Sequence, residues 1–513
     1  MAYQIIHTKK DGKKYVYSVE GYWDKEKKAP RNKQICLGRF NEATGEIIPS
    51  KRERRIAKGA AAITAKNLII GPSAILEKIV FDLGLCSVLK DSFPDKWQQI
   101  LSLAFFLVQK GLPLSRCEIW STSNKQPFNG VITSQYVSKL LVSLNEGERQ
   151  KFFSLWMKAF ACQDTLFYDI TSVSSYSEQN EYVRWGYNRD NEKLPQINLC
   201  MLYGHNSKLP VYYRRLPGSI SDVSTLKTTL CSLDFIGQTK LTFILDKGFY
   251  SKVNIDALFR AGCNFIISVP RRKWVEALYD ECHAGIVSSV NRHIVSENEV
   301  LYMFTQLYNW GGRRCYAHIY FNNVKAAEDA NSFTLKLMEW KNELLSGTEK
   351  ASNTWAYEKY FHIKETVKRG RQVLENDSAV QAAINVYAGF TCIITTKKMD
   401  ALTALETYRR KEIVENCFDD LKNTLDMKRL RVHSSAAMES RLFIQFIALI
   451  LLNAVRNIKN QHDKLRGLTI REIMEAMETI SEVRFSGRYG KIITEADPIQ
   501  RYIMDAFNVT INA

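Results

Sequence analysis

The chain reads as a mixed α/β protein in which a helical region precedes a sheet domain, and an inserted segment interrupts that domain. Three observations carry this. Between residues 57 and 160 apolar side chains recur at three- and four-residue spacing. From residue 164 the pattern changes to short apolar or β-branched runs closed by Gly, Pro or Ser, and helix-like segments alternate with those runs.

Taken in order, residues 1–50 predict a small β element: 13–23 ("KKYVYSVEGYW") and 33–40 alternate aromatic or aliphatic with polar residues around the basic turn "DKEKKAPRN". The charge run "KRERR" at 51–55 opens a helical region, 51–160, carried by "AILEKIVFDLGL", "WQQILSLAFFLVQKG", "SQYVSKLLVSL" and "RQKFFSLWMKAF". Residues 161–270 supply the first part of the sheet through "DTLFYDITS", "PQINLCMLYG", "LPVYYRRLPGS", "KLTFILDKG" and "CNFIISVP", with "VSTLKTTLCSL" and "SKVNIDALFRAG" as helices between them. Residues 271–385 look like an insertion, with strand-like stretches at 286–307 and 313–321, a charged helix at 323–347 and a polar segment near 346–380. The sheet resumes over 386–460 with "AGFTCIITT" and a long helix that Asp400 would cap, and 461–513 forms a C-terminal helical region.

A formal net charge of +17 points to a polyanionic partner, with nucleic acid leading. The eleven cysteines show neither a C-x-x-C knuckle nor a zinc spacing and read as reduced core thiols of a cytosolic protein. The start "MAYQIIHTKKDGKK" turns polar too soon for a signal peptide. The apolar run Phe443 to Val455 is too short for a bilayer span, so a buried helix is expected and no membrane partner.

Three carboxylates stand out. Asp246 ends the strand-like run "LTFILDKGFYS", where a tight turn would hold its side chain at the sheet edge, although an Asp there also serves as a helix cap. Asp169 lies within the apolar strand "LFYDITS", where a charge requires a cation or metal. On a wheel at about 100° per residue, Tyr408, Lys411, Glu415 and Lys422 fall within an arc of roughly 60°, while Val414, Cys417, Phe418, Leu421 and Leu425 mark the buried side. Glu415 also reads as an i, i+4 partner of Lys411.

"YDITS", "LDKGFYS" and the pattern Tyr408-x2-Lys411-x3-Glu415-x6-Lys422 resemble the DDE transposases of bacterial insertion sequences, in the group with a tyrosine, arginine, glutamate, lysine signature. "WGYNRDNEKLPQINLCMLYG", "LPVYYRRLPGSISD" and the N-terminal ribbon look like further segments of these proteins, so the resemblance covers most of the chain. It implies an RNase H-like mixed-sheet catalytic core interrupted by a largely β insertion domain, with a helical N-terminal DNA-binding region. It further implies that Asp169, Asp246 and Glu415 are catalytic and hold two Mg2+ ions, with Mn2+ able to substitute.

Tyr408, Lys411 and Lys422, with Arg409 and Arg410 beside them, would contact the DNA. The arginine position of the signature is Lys411, which keeps the charge but loses the bidentate fork on a phosphate. The implied partners are double-stranded DNA, as terminal inverted repeats and target, and a second copy in a synaptic homodimer. The implied activity is cut-and-paste transposition in the bacterial cytoplasm at the nucleoid. Competing functions are a domesticated, catalytically inactive DNA-binding protein, a metal-dependent RNase H-like nuclease, and a carbohydrate hydrolase with paired acids. Trp274, Trp310, Trp340 and Trp355 in the insertion are candidates for stacking on a flipped base or for ordinary core packing, and His433 follows the basic stretch "MKRLRVHS".

Overall fold

The computed structural model describes residues 2–24, 29–49, 65–161, 164–177, 180–238, 240–296, 299–366, 370–385, 387–430, 434–485 and 490–511. The charge run at 51–55 and His433 lie outside them. Two compact units result: 1–67 with 482–493, and 68–481 with 494–512.

The first unit is built on an antiparallel meander of β1 (Ala2–Thr8), β2 (Lys14–Asp24), β3 (Ala29–Phe40) and β4 (Ile47–Pro49), in that order. Val16 and Val19 are the buried residues of β2; they lie three apart, across a bulge at Val16–Tyr17, so the strict alternation expected of this strand is not kept. β5 (Ala65–Ile69) belongs to a separate small sheet.

In the second unit six helices fill residues 71–160, among them Trp97–Lys110, buried almost throughout, and Glu146–Phe160, which starts on a reciprocal capping box of Asn145 and Glu148. The sheet follows with β6 (Thr165–Ser175), β7 (Gln196–Gly204), β8 (Pro210–Pro217), β9 (Thr242–Leu245) and β10 (Asn264–Val269). β6, β7 and β8 form an antiparallel meander, while β9 runs parallel to β6 and β10 parallel to β9. The resulting order β8-β7-β6-β9-β10 is that of an RNase H-like core.

The expected insertion divides into two parts. After the helix Lys273–Ile286, β11 (Arg292–Ser296), β12 (Glu299–Trp310) and β13 (Arg313–Phe321) extend the core sheet itself. Past β14 (Phe361–Thr366) and β15 (Gly370–Glu375), β16 (Phe390–Thr395) slots between β13 and β10. Residues 323–385 form a mostly helical module: the helix Asn323–Ser346, two shorter helices and the β14–β15 hairpin surround Leu337, Trp340, Leu344, Tyr357, Tyr360 and Val373. The β content expected of this stretch therefore sits largely in the core sheet, because period-2 alternation marks a strand without naming its partner.

Two helical layers cover the sheet. On one face Asp222–Phe235 meets Tyr168, whose hydroxyl donates to Thr225 Oγ1 at 2.9 Å. On the other lie Ala401–Arg409, Glu412–Asp419 and the 27-residue helix Ser435–Gln461. That last helix is long and apolar enough to cross a membrane, yet it is buried continuously from Ser440 to Val455. Phe443 packs on Phe93 and Phe152 of the helical region, and Phe446 on Tyr213 of β8, so one helix joins helical region and sheet into a single core. β17 (Arg429–Leu430) adds to β6, and β18 (Ser481–Phe485) and β19 (Lys491–Ile493) complete the small sheet in the order β19-β18-β5. None of the described cysteines is paired.

Candidate active site

The register of β6 and β9 brings the first two acids together. Phe167 faces Ile244 and Tyr168 faces Leu245, and one further step sets Asp246 beside Asp169, on the face carrying the helices 401–409 and 412–419. Adjacent strands run about 4.8 Å apart, so the two carboxylates are neighbours on a rigid support. Asp246 forms no side-chain cap. The chain turns through a 3-10 segment, Lys247–Phe249, and Ser251 takes the capping role, accepting from Asn254 N–H at 3.1 Å. The carboxylate of Asp246 is thereby left for other partners.

Those partners come from the helix above. The Tyr408 hydroxyl donates to Asp246 Oδ1 at 2.5 Å, and Lys411 Nζ lies 3.5 Å from the same oxygen. Asp169, Asp246, Tyr408, Lys411 and Glu415 together line one cavity of about 40 Å³. Glu415 is exposed at its rim, while Val414, Cys417 and Phe418 bury another side of its helix. Among the described residues Lys411 makes its ion pair with Asp246 and none with Glu415, so the i, i+4 alternative is not what the fold uses.

Electrostatics separate the acids. Burial pushes the Asp169 carboxyl up to about 6, opposed by the Ile170 N–H and by the charge of Arg189. Burial also works against the Asp246 charge, but the Tyr408 hydroxyl, the Lys247 N–H and the Lys411 ammonium outweigh it and hold that carboxyl below its ordinary value. Burial, reinforced by the Asp246 carboxylate, pushes the Tyr408 hydroxyl well up.

The expected single helix is interrupted. It begins as predicted on Asp400, which accepts from Thr403 N–H at 2.9 Å, but stops at Arg409 and restarts at Glu412. Three consecutive cations there reach three different elements: Arg409 grips Glu299 with both guanidinium nitrogens at 2.6 Å, Arg410 meets His205 Nε2 at 3.3 Å, and Lys411 meets Asp246. A π turn at Asp420–Thr424 follows, opened by Asp420, which is buried and ion-paired with Arg456. The extra residue in that turn rotates Lys422 off the arc shared by the other three. Its ammonium lies 2.7 Å from Asp190 Oδ1, and it does not line the cavity, which corrects the four-residue face.

Arg189, Asp190, His205 and Glu299 were missed as members of this neighbourhood. For the first two the segment "WGYNRDNEKLP" was the available signal; His205 and Glu299 carried none. Of the four tryptophans, Trp340 is buried in the module core and Trp355 is exposed, whereas Trp274 and Trp310 form an aromatic cluster with Tyr250 and Tyr308 beyond the Asp246 turn.

Three carboxylates lining one cavity offer oxygen donors only, the set that hard divalent cations prefer. The volume is a few times the ~10–15 Å³ that one water requires. As the side chains stand, no three His, Cys, Asp or Glu groups among the described residues are close enough to share an ion. Asp246 is engaged by Tyr408 and Lys411 instead, so a lysine ammonium stands where a cation's charge would act.

Residues 161–451 match the family described as "Transposase DDE domain". No curated protein matches the chain. Among solved structures, the piggyBac transposase in a synaptic complex with hairpin DNA aligns with 80% of this chain and 77% of that chain, at 9% identity and a TM-score of 0.38. The Mos1 transposase in a paired-end complex with the left transposon end aligns with 28% of this chain and 53% of that chain, at 16% identity and a TM-score of 0.15.

Proposed function

The chain belongs to the transposase DDE-domain family, and from that premise we propose that it mobilises an insertion sequence by a cut-and-paste route. It binds the terminal inverted repeats of its element, cleaves the DNA ends and joins the 3′-OH ends to target DNA. It acts as at least a homodimer, because two ends must be held together, and it works in the bacterial cytoplasm at the nucleoid. The observation that carries this reading is the convergence of Asp169, Asp246 and Glu415 on one cavity beneath Tyr408 and Lys411.

In this reading the three acids hold two Mg2+ ions, for which Mn2+ can substitute. Bound there, such a pair would activate an attacking oxygen and stabilise a departing one in an in-line phosphoryl displacement. The chain's own contribution is positioning. β6 and β9 fix two acids on neighbouring strands, the helix 412–419 presents the third, and Tyr408 orients the Asp246 carboxylate through Oδ1. Lys411, Arg409, Arg410 and Lys422 supply positive charge to the DNA backbone. Ion pairs at exposed sites are worth only about 0–1 kcal/mol, so Arg409, with 44% of its side chain exposed, can exchange Glu299 for a phosphate at little cost.

An end-labelled duplex carrying the element's terminal repeat tests the proposal. Wild type should nick it only with a divalent cation present and then transfer the 3′ end. Asp246→Ala should lose both activities and keep DNA binding. Binding without cleavage by wild type would instead identify a domesticated binding protein, and nicking without strand transfer a nuclease.

A further inference from the structure

A second site lies at the far edge of the sheet. β8 is the terminal strand there, and a cleft of about 570 Å³ wraps its free edge between the helices 146–160 and 222–235. That volume is in the range of small-ligand sites, roughly 300–1,000 Å³. Three guanidinium groups line it: Arg149, Arg214 and Arg215. Arginine is a donor only and stays charged. Arg215 pairs with Glu439, Nε to Oε1 at 2.6 Å, and lies flat on the Tyr182 ring with its guanidinium carbon 3.4 Å from the centroid. Even so, Arg215 Nη1 and Arg214 Nε are buried with no hydrogen-bond partner among the described residues.

The acids in the cleft do not cancel this charge. Glu439 is committed to Arg215, and Glu146 accepts from Gln150 Nε2 at 2.9 Å. Three cations against two carboxylates leave one positive charge in excess, the amount that a single phosphodiester neutralises. The remaining walls are aromatic: Phe153, Tyr182, Tyr212 and Tyr213, with Phe235 at the mouth, 75% exposed despite its apolar ring. Fixed donors for an oxyanion beside exposed and buried rings are the two elements that recognise a nucleotide unit, phosphate and base together.

We infer that this cleft binds one nucleotide unit, its phosphate on Arg214 and Arg215 and its base against Phe235. Tyr213, in its wall, sits in register with Met201 and hence with Asp169, two strands and about 10 Å away. The buried helix 435–461 covers that face of the sheet, with Phe446 on Tyr213, so a DNA strand would reach the cleft from the outer edge of β8. Only this source of the ligand rests on the transposase reading; recognition of a nucleotide does not.

Isothermal titration of the full chain with thymidine 5′-monophosphate in EDTA reads the site without any cleavage chemistry. Wild type should bind one equivalent per chain. Arg214→Gln and Phe235→Ala should each weaken binding at least about tenfold, Arg214→Lys by less, and Asp246→Ala not at all. Phe235 is exposed, so its truncation tests the cleft with no core to disturb. Competition by a single-stranded oligonucleotide would name a DNA strand as the source, and its failure to compete would name the free nucleotide. Absence of binding by wild type, or equal binding by Phe235→Ala and Arg214→Gln, would overturn the inference. Failed cleavage alongside intact nucleotide binding would count against the transposition mechanism alone.

Discussion

Asp246 is defined by what the local chain does not ask of it. Ser251 caps the following helix, so the carboxylate at the end of β9 is free to meet Tyr408 and Lys411 across the cleft. A hydrogen bond to a charged group contributes about 1.5–3 kcal/mol. Tyr408→Phe is therefore expected to slow cleavage roughly 10- to 100-fold while leaving end binding nearly unchanged, as initial rates and gel shifts on the same duplex would read. His318 shows a different kind of burial. It sits inside β13 between the hydroxyls of Thr305 and Thr395, and burial depresses its ring to about 4. The folded state thus keeps it neutral where an unfolded chain would charge it at about 6.5. The stability it contributes is present above pH 6.5 and is lost as pH falls toward 4. Urea midpoints measured between those values should decline in wild type, and less steeply in His318→Gln.

At the scale of elements, the catalytic helix depends on the buried helix behind it. Asp420, 6% exposed, opens the π turn and pairs through both oxygens with Arg456 of the helix 435–461. Removing one partner of a buried pair costs about 3–5 kcal/mol. Arg456→Met should fall toward the lower end of that range, because Arg456 itself is 30% exposed, and Asp420→Asn in the same chain should recover part of the loss. Denaturant unfolding of the two single variants and the double variant measures the coupling. These elements also mark how far the sequence was legible. The strands around Asp169 and Asp246, the Asp400 cap and the apolar side of Val414, Cys417 and Phe418 follow from local pattern. The break at Arg410 and Lys411 carries no Gly or Pro, and the π turn arises from a partner 36 residues away, so neither leaves a local mark. The hairpin and short helices within 346–380 were hidden for a similar reason: they bury few residues each, around Trp340 and Tyr360, and look polar as a run.

Across the whole chain, the module 323–385 is an insertion into a sheet that closes without it. Phe321 at the end of β13 and Phe390 at the start of β16 are direct cross-strand neighbours, and Asn322 N–H donates to Gly389 O at 3.1 Å. Replacing the module by a short Asn-Gly turn should leave a chain that still unfolds cooperatively, as calorimetry would show; a chain that aggregates would mean that β13 and β16 need the module to pair. The same sheet carries the proposed chemistry, and thiolate substitution probes it most directly. Sulfur disfavours Mg2+ and accepts softer ions such as Mn2+. Cleavage of the terminal-repeat duplex by Asp169→Cys, Asp246→Cys and Glu415→Cys should vanish in Mg2+ and return in part in Mn2+ for each variant. Undiminished cleavage in Mg2+ by any one of them would contradict a shared role for the three acids.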